Sequence, residues 1–230
     1  MNNNPLKTQG ILLIDKPAGK TSFHLVAVLR KLLGVQKIGH AGTLDPFATG
    51  VMVMLIGKPY TSMAEKLQCQ DKAYRATAHL GIETDSYDID GNIVSQSDHI
   101  PTLSEIEQAL QSFQGTIDQL PPMFSAKKQE GKKLYELARA GITVERQPKR
   151  VTVKTTLVEY NYPNLVLDIE CSKGTYIRSI AQDLGKILGC GAHLSKLIRT
   201  RSGPFSLDEC ISLPAKGSDV NLSDHLRCSL

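Results

Sequence analysis

In GHAGTLDPFATG, residues 39–50, one histidine and one carboxylate, His40 and Asp45, stand among turn formers and small residues. A carboxylate held in a turn can act as a nucleophile or stabilise positive charge developing on a substrate. Pro46 biases the residue before it toward extended or turn backbone, and Gly42 and Gly50 supply a freedom that a helix interior would not need. From local chemistry alone the plain reading is a surface turn in which Asp45 caps Thr43 or the backbone. The stretch GKTS, 19–22, superficially matches the end of a phosphate loop but lacks the earlier glycine at the required interval, so Lys20 reads as a solvated turn residue or an RNA contact. There is no GxGxxG and no HExxH, and the doubly wound dinucleotide fold lacks its repeating βαβ period.

Taken by type alone, the other polar candidates have bland readings. His40 fits a structural hydrogen-bonding histidine, Tyr74 a sheet-packing aromatic, Arg178 a surface or phosphate contact and Leu197 a core residue. His24 and His79 lie in a predicted helix and strand without metal-ligand spacing and are read as structural, while His193 could face RNA.

The elements that must position these residues follow from periodicity. GILLID, 10–15, reads as a buried strand, ending at KPAGKTS, where Thr21 or Ser22 can cap the helix FHLVAVLRKLLG. Its apolar face is expected to be Phe23, Val26, Leu29, Leu32 and Leu33. VMVMLIG reads as a central strand, and AYRATAHLG as a strand with Tyr74, Ala76, Ala78 and Leu80 on one face. TLSEIEQALQSFQG, 102–115, opens with a capping signature and places Leu103, Ile106, Ala109, Leu110 and Phe113 at helical spacing. GKKLYELARAG is a further helix, and strands in KRVTVKTTLVEYNYPNLVLDIECSKG turn near Pro163 and Asn164. TYIRSIAQDLGKILG then reads as a helix with Tyr176, Ile180, Leu184, Ile187 and Leu188 toward the core. The fold class is α+β.

The chain of 230 residues can bury a substantial core, and its formal net charge of +4 is compatible with nucleic acid without establishing it. Charge placement says more. From Asp85 through Asp118 there are seven acids and no Lys or Arg, whereas Lys127 through Lys154 holds nine bases against three acids. The basic segment can follow a phosphate backbone, and the acidic one is expected to face away from it. Five cysteines without a CxxC pair suit a reduced, cytoplasmic protein with no zinc site; no run approaches transmembrane length, and no membrane association is expected.

Seven ordered blocks carry a resemblance: DKPAGKTS, GHAGTLDPFATG, KAYRATAHLG, GIETDSYDIDG, PPMFSAKKQEGKKLYELAR, CSKGTYIRSIAQDLG and GAHLSKLIRTRSG. Together they resemble the bacterial TruB-type tRNA pseudouridine synthases over roughly residues 10–207. The resemblance implies the pseudouridine-synthase catalytic fold, a largely antiparallel sheet flanked by helices, spanning 1–206 with a family-specific lobe near 85–150. It implies that Asp45 is the covalent nucleophile, that Tyr74 stacks on the target base and helps move the proton at its C5, and that Arg178 pairs with the nucleophilic aspartate. His40 would occupy or stabilise the space left by a flipped nucleotide, Lys16 and Pro17 would support the floor of the site, and Leu197 would wall the base. Tyr176, Lys127, Lys128 and Arg199 join the substrate contacts, Arg199 with Lys196 and Arg201 as a phosphate-positioning group. Where the family has PPxYSAxKxxG this chain has Phe124, so a hydroxyl contact is missing while ring packing remains.

The implied reaction breaks the C1′–N1 glycosidic bond of uridine, turns the uracil and joins C1′ to C5. It needs no redox step and no group donor, so no metal or organic cofactor is expected. The implied substrate is the T-arm of tRNA, modified at position 55, with no obligate protein partner. A noncatalytic RNA-folding module and a synthase for another structured RNA are the competing readings, and a carbohydrate hydrolase lacks its second carboxylate. Residues 207–230 are too few for the PUA domain with which bacterial relatives commonly end, and either a minimal enzyme or a truncation, with weaker tRNA affinity, is expected.

Overall fold

The computed structural model describes residues 9–125, 128–129, 131–142, 144–214 and 221–228. In chain order the elements begin with β1 (Gly10–Lys16), α1 (Ser22–Leu33), β2 (Ile38–His40), β3 (Thr49–Ile56), α2 (Lys58–Thr61) and α3 (Ala64–Gln68). Next come β4 (Lys72–Leu80), β5 (Ile82–Thr84), β6 (Ile93–Gln96), α4 (Leu103–Leu110), β7 (Gln114–Gln119), β8 (Lys128–Gln129), β9 (Lys132–Lys133) and α5 (Leu134–Arg139). The chain continues through β10 (Lys149–Asn161), β11 (Asn164–Cys171), α6 (Ile177–Ile187), β12 (Ala192–Ser202), β13 (Phe205–Ser206) and β14 (Ile211–Ser212). The fold is mixed α+β with mostly antiparallel strand pairs, as the sequence predicts. Among the described residues, no helix is long and apolar enough to cross a membrane.

Contacts divide the chain into two compact units, one of residues 1–74 and 198–230, the other of residues 75–197. In the first, β1 and β3 pair antiparallel from Gly10↔Ile56 to Lys16↔Gly50, β2 adds to β3, and the end of β12 runs parallel to β3 at Arg199↔Gly50. Strand β3 is buried almost throughout, which explains its unbroken apolar run. Ile11, Leu13, Val51, Val53, Leu55 and Phe205 form the cluster beneath this sheet. After the short β14, which pairs parallel with β1, residues 221–228 return: Arg227 exchanges backbone hydrogen bonds with Ile11, and Leu222 and Leu226 are buried.

Thr21, not Ser22, caps α1, accepting from the His24 amide, and Gly34 ends the helix in the left-handed conformation. The buried face of α1 is Ser22, Leu25, Val26 and Leu29; Phe23 at 67% exposure and Leu32 at 43% are corrections to the predicted stripe. The pattern fails because a twelve-residue helix with apolar residues nearly all round offers several overlapping stripes.

In the second unit the strand order is β12-β4-β11-β10-β7, with β10 and β11 joined through a cis Tyr162–Pro163 bond. Helix α4 carries the expected capping box between Thr102 and Glu105 and buries Ile106, Ala109 and Leu110, while Leu103 is exposed. The predicted 131–141 helix is shorter: Lys132 and Lys133 belong to β9, a two-residue strand paired with β8, before α5 begins. On α6 burial runs nearly all round, through Ile177, Arg178, Ser179, Ile180, Ala181, Gln182, Leu184 and Gly185, and Ile187 is exposed.

Candidate active site

Within the first unit, the loop between β2 and β3 carries His40 and Asp45 and is tied down on both sides of the carboxylate. Lys16, fully buried at the end of β1, directs its ammonium at Pro17 O (2.9 Å), Pro46 O (3.0 Å) and Ala48 O (2.6 Å). Pro46 O also accepts from the Gly19 amide, which joins the turn after β1 to the loop. Ser22 Oγ brackets Leu44, accepting from its amide at 3.0 Å and donating to its carbonyl at 3.2 Å. Asp15 Oδ1 accepts from the Gly50 amide, and Ala48 N closes a turn onto Asp45 O. The peptide units around Asp45 are therefore fixed by neighbouring elements while its side chain stays half-buried.

Arg199 is 1% exposed, and its guanidinium donates to Val51 O, Gly42 O and Thr43 O. That corrects its expected place among phosphate contacts, because a side chain enclosed beneath the loop presents no donor to solvent. Burial pushes the Lys16 ammonium down from its ordinary 10.5 to about 8, with Asp45 opposing and Arg199 adding to the shift. His40, paired opposite Met54, is held below 6.5 first by burial and then by the Arg199 charge, against a backbone bond with Gly42. Among the described residues nothing bonds its buried Nδ1. Pro17 and Lys20 are exposed, and Tyr74, at the unit's edge in β4, is 8% exposed.

The second unit holds Arg178, Tyr176 and Leu197. Arg178, in the first turn of α6, is 5% exposed; it lies 3.2 Å from the Asp88 carboxylate and donates to Ser86 O and Phe124 O. Asp88 is itself buried, accepting from Ser86 Oγ at 2.5 Å and from the Asp90 amide at 3.1 Å. The acidic stretch is thus not wholly a solvated face. Tyr87, between Ser86 and Asp88, has φ +65°, the only positive value for a non-glycine residue among those described. The Gln119 amide brackets the backbone of Tyr176, donating to its carbonyl and accepting from its N–H, which fixes the start of α6.

Leu197 is buried in β12. His193, for which an RNA-facing position was open, is 8% exposed with Nδ1 2.9 Å from Ile82 O and its ring 5.1 Å from that of His79. Arg150 in the basic segment pairs with Asp118 across β10 and β7, and Arg146 donates to Pro121 O. Lys127 lies outside the described residues, and of Lys128 only the backbone is described.

Sequence reasoning missed Ser22, Asp15, Gln119 and Asp88 as supports. For two of them the signal was present: Asp15 and Ser22 flank Lys16 and Pro17 in DKPAGKTS. Among the described residues, no cluster of His, Cys, Asp and Glu suits a metal ion.

Comparison with known proteins bears on this geometry. The profile described as "TruB family pseudouridylate synthase (N terminal domain)" matches residues 30–177, and the "tRNA pseudouridylate synthase B C-terminal domain" matches 178–215. The tRNA pseudouridine synthase B of Protochlamydia amoebophila is 61% identical over 98% of this chain and 86% of its own length. That of Chlamydia abortus is 62% identical over 95% of this chain and 94% of the relative, and that of Bordetella avium 48% identical over 90% and 86%. Among solved structures, a Cbf5-Nop10-Gar1 complex contains a chain with TM-score 0.71 and 30% identity over 90% of this chain. A second, an H/ACA RNP bound to a substrate RNA containing 2′-deoxyuridine, gives TM-score 0.66 at 28% identity, again over 90% of this chain. This chain spans about half the length of those two solved chains, 53% and 51%.

Proposed function

We propose, proceeding from the fact that this chain belongs to the TruB family of pseudouridylate synthases, that it isomerises uridine 55 in the T loop of tRNA. The enzyme is an isomerase of the pseudouridine-synthase type, and the choice of tRNA arm and nucleotide is the part proposed. The observation that carries the reading is the loop around Asp45: its backbone is bonded to Lys16, Ser22, Arg199 and Gly19, which leaves a half-buried carboxylate on a rigid support. Preorganised placement of that kind contributes to rate without reorganisation during the reaction.

In the proposed reaction Asp45 forms a transient bond with the substrate as the C1′–N1 bond breaks, either at C1′ of the sugar or at C6 of the base. The uracil turns, C5 bonds to C1′, the bond to Asp45 is released to return the free carboxylate, N1 takes up a proton and the proton on C5 leaves. Tyr74 supplies a flat face for the uracil and a polar oxygen for that proton. Arg178 supplies the guanidinium that orients the reacting carboxylate, and Leu197 walls the base. Because the reacting atoms are concealed in a stacked loop, the nucleotide flips out, and His40 offsets part of the lost stacking.

Lys16 and Pro17 form the floor, while Tyr176, Lys127 and Lys128 contribute to RNA binding. Phosphate contacts set register, and the folded T-arm supplies selectivity. The relatives named as tRNA pseudouridine synthase B favour tRNA as the substrate, and the likeness to a protein in an RNA-bound complex supports RNA binding. The cytoplasm, where tRNA is modified in a reduced environment, is the proposed location.

The test is to incubate unmodified tRNA with the protein and with Asp45→Asn, then map pseudouridine by carbodiimide treatment and primer extension. One new stop at position 55, absent with the variant, is expected. Tight tRNA binding without a stop would instead identify an RNA-folding module, and modification confined to other RNAs would move the substrate.

A further inference from the structure

Burying a guanidinium is costly unless its donors are used, and at Arg199 they are. Nε lies 2.7 Å from Val51 O, Nη2 3.3 Å from Gly42 O and 3.7 Å from Met52 Sδ, and Nη1 3.5 Å from Thr43 O. Val51 and Met52 belong to β3, whereas Gly42 and Thr43 form the limb of the loop between His40 and Asp45. One planar fork thus joins a core strand to the loop. Its seat depends on Gly50: a Cβ there would lie 2.3 Å from Arg199 O, and the φ of +101° is one that L side chains rarely adopt.

We propose that Arg199 is a positioning residue of the isomerisation, fixing the His40–Thr43 limb so that His40 and Asp45 are presented together, and that it makes no contact with RNA. The proposal rests on the catalytic roles proposed above for those two residues. Lys16 holds the opposite limb through Pro46 O and Ala48 O, so the carboxylate is gripped from both sides. The two cations are not equivalent. The carbonyls around Lys16 converge on one nitrogen, which suits an ammonium; those around Arg199 are distributed over three nitrogens, which suits only a fork.

His40 supplies the second line of support. Its Nδ1 is buried without a bonding partner among the described residues, and the Arg199 charge works with burial to keep the imidazole neutral. A neutral ring beside an extruded nucleotide can accept one hydrogen bond and donate another, whereas an imidazolium can only donate.

Arg199→Lys and Arg199→Met separate this role from phosphate binding and from simple stability. For each folded variant, the single-turnover rate at saturating tRNA, the tRNA dissociation constant and the NMR titration of His40 in the free protein are measured. The lysine variant keeps the charge but not the fork; its rate is expected to fall about 100-fold, with affinity within about twofold of the unaltered protein and an unchanged salt slope. In the methionine variant His40 should titrate at higher pH. Weakened binding with the saturated rate retained would make Arg199 a phosphate contact, and unchanged rates in both variants would overturn the proposal, as would an unmoved His40 titration. If the methionine variant does not fold, the lysine variant decides by its rate and affinity. Should the unaltered protein form no pseudouridine at all, the functional reading fails, and the His40 titration still decides whether Arg199 controls this limb.

Discussion

The loop around Asp45 and the first turn of α6 each organise a candidate catalytic side chain, and they do so by opposite means. At the loop, the described bonds of the buried cations Lys16 and Arg199 run mainly to backbone carbonyls, and the candidate group is the carboxylate on the backbone they hold. At α6 the candidate group is itself the buried cation: Arg178 lies 3.2 Å from Asp88 and caps Ser86 O and Phe124 O. A cage of carbonyls fixes the path of a chain. A buried ion pair fixes one side chain, and losing either partner removes the charge set opposite the other. Loss of a donor from the first should therefore appear mainly in rate, and loss of a charge from the second in stability as well, whereas a steric clash costs stability in either.

The largest effect should come from the ion pair. Asp88→Asn keeps the shape but removes the charge opposite Arg178, and thermal and urea denaturation should show a loss of about 3 kcal/mol or more. If stability is unchanged, the two regions are not different in the way described. Gly50→Ala attacks the cage sterically, since the new Cβ would lie 2.3 Å from Arg199 O and 2.7 Å from Arg199 N. Backbone atoms cannot step aside, so a loss of about 3 kcal/mol is expected, together with activity that stays low in whatever protein is folded.

The cage should also be sensitive to pH. Lys16 loses its proton near pH 8, and a neutral amine has only two N–H groups for the three carbonyls it now serves. The single-turnover rate should fall above that pH, about tenfold for each further unit. Stability takes the other sign. The unfolded chain keeps this proton up to 10.5 and the folded chain only to about 8, so the contribution of Lys16 to stability rises with pH between those values. A rate that fell only as the protein melted would contradict the assignment. The smallest effect is a control: Gly34, with φ +66° and nothing within 4 Å of a built Cβ, should cost about 1 kcal/mol as alanine and leave the rate unaltered.

The same contrast explains what was legible in the sequence. Strand β3 and the alternating β4 follow directly from their patterns of burial, and the capping box of α4 is written in Thr102 and Glu105. The KP element made Lys16 visible as a support. Arg199 was hidden because, with Lys196 and Arg201, it looks like part of a basic stripe. Strand alternation contained the answer: Leu197 and Arg199 are both buried in β12, whereas Lys196 is exposed and Ile198, between the two buried positions, is half-buried. Asp88 was hidden for a related reason, since its acidic neighbours Asp85 and Asp90 are exposed and the segment reads as uniformly solvated. Ser22 had two local uses open to it, helix cap or loop bracket, and only the tertiary position of Leu44 decides between them.

Asp45, on this fixed loop, is the group through which uridine is proposed to be isomerised. The most direct measurement uses tRNA carrying tritium at C5 of its uridines and follows label release in a single turnover by the unaltered protein and by Asp45→Asn. Release of one equivalent per tRNA from the T loop is expected with the unaltered protein and none with the variant, with tRNA binding retained by both. Release by the variant at the rate of the unaltered protein would contradict it.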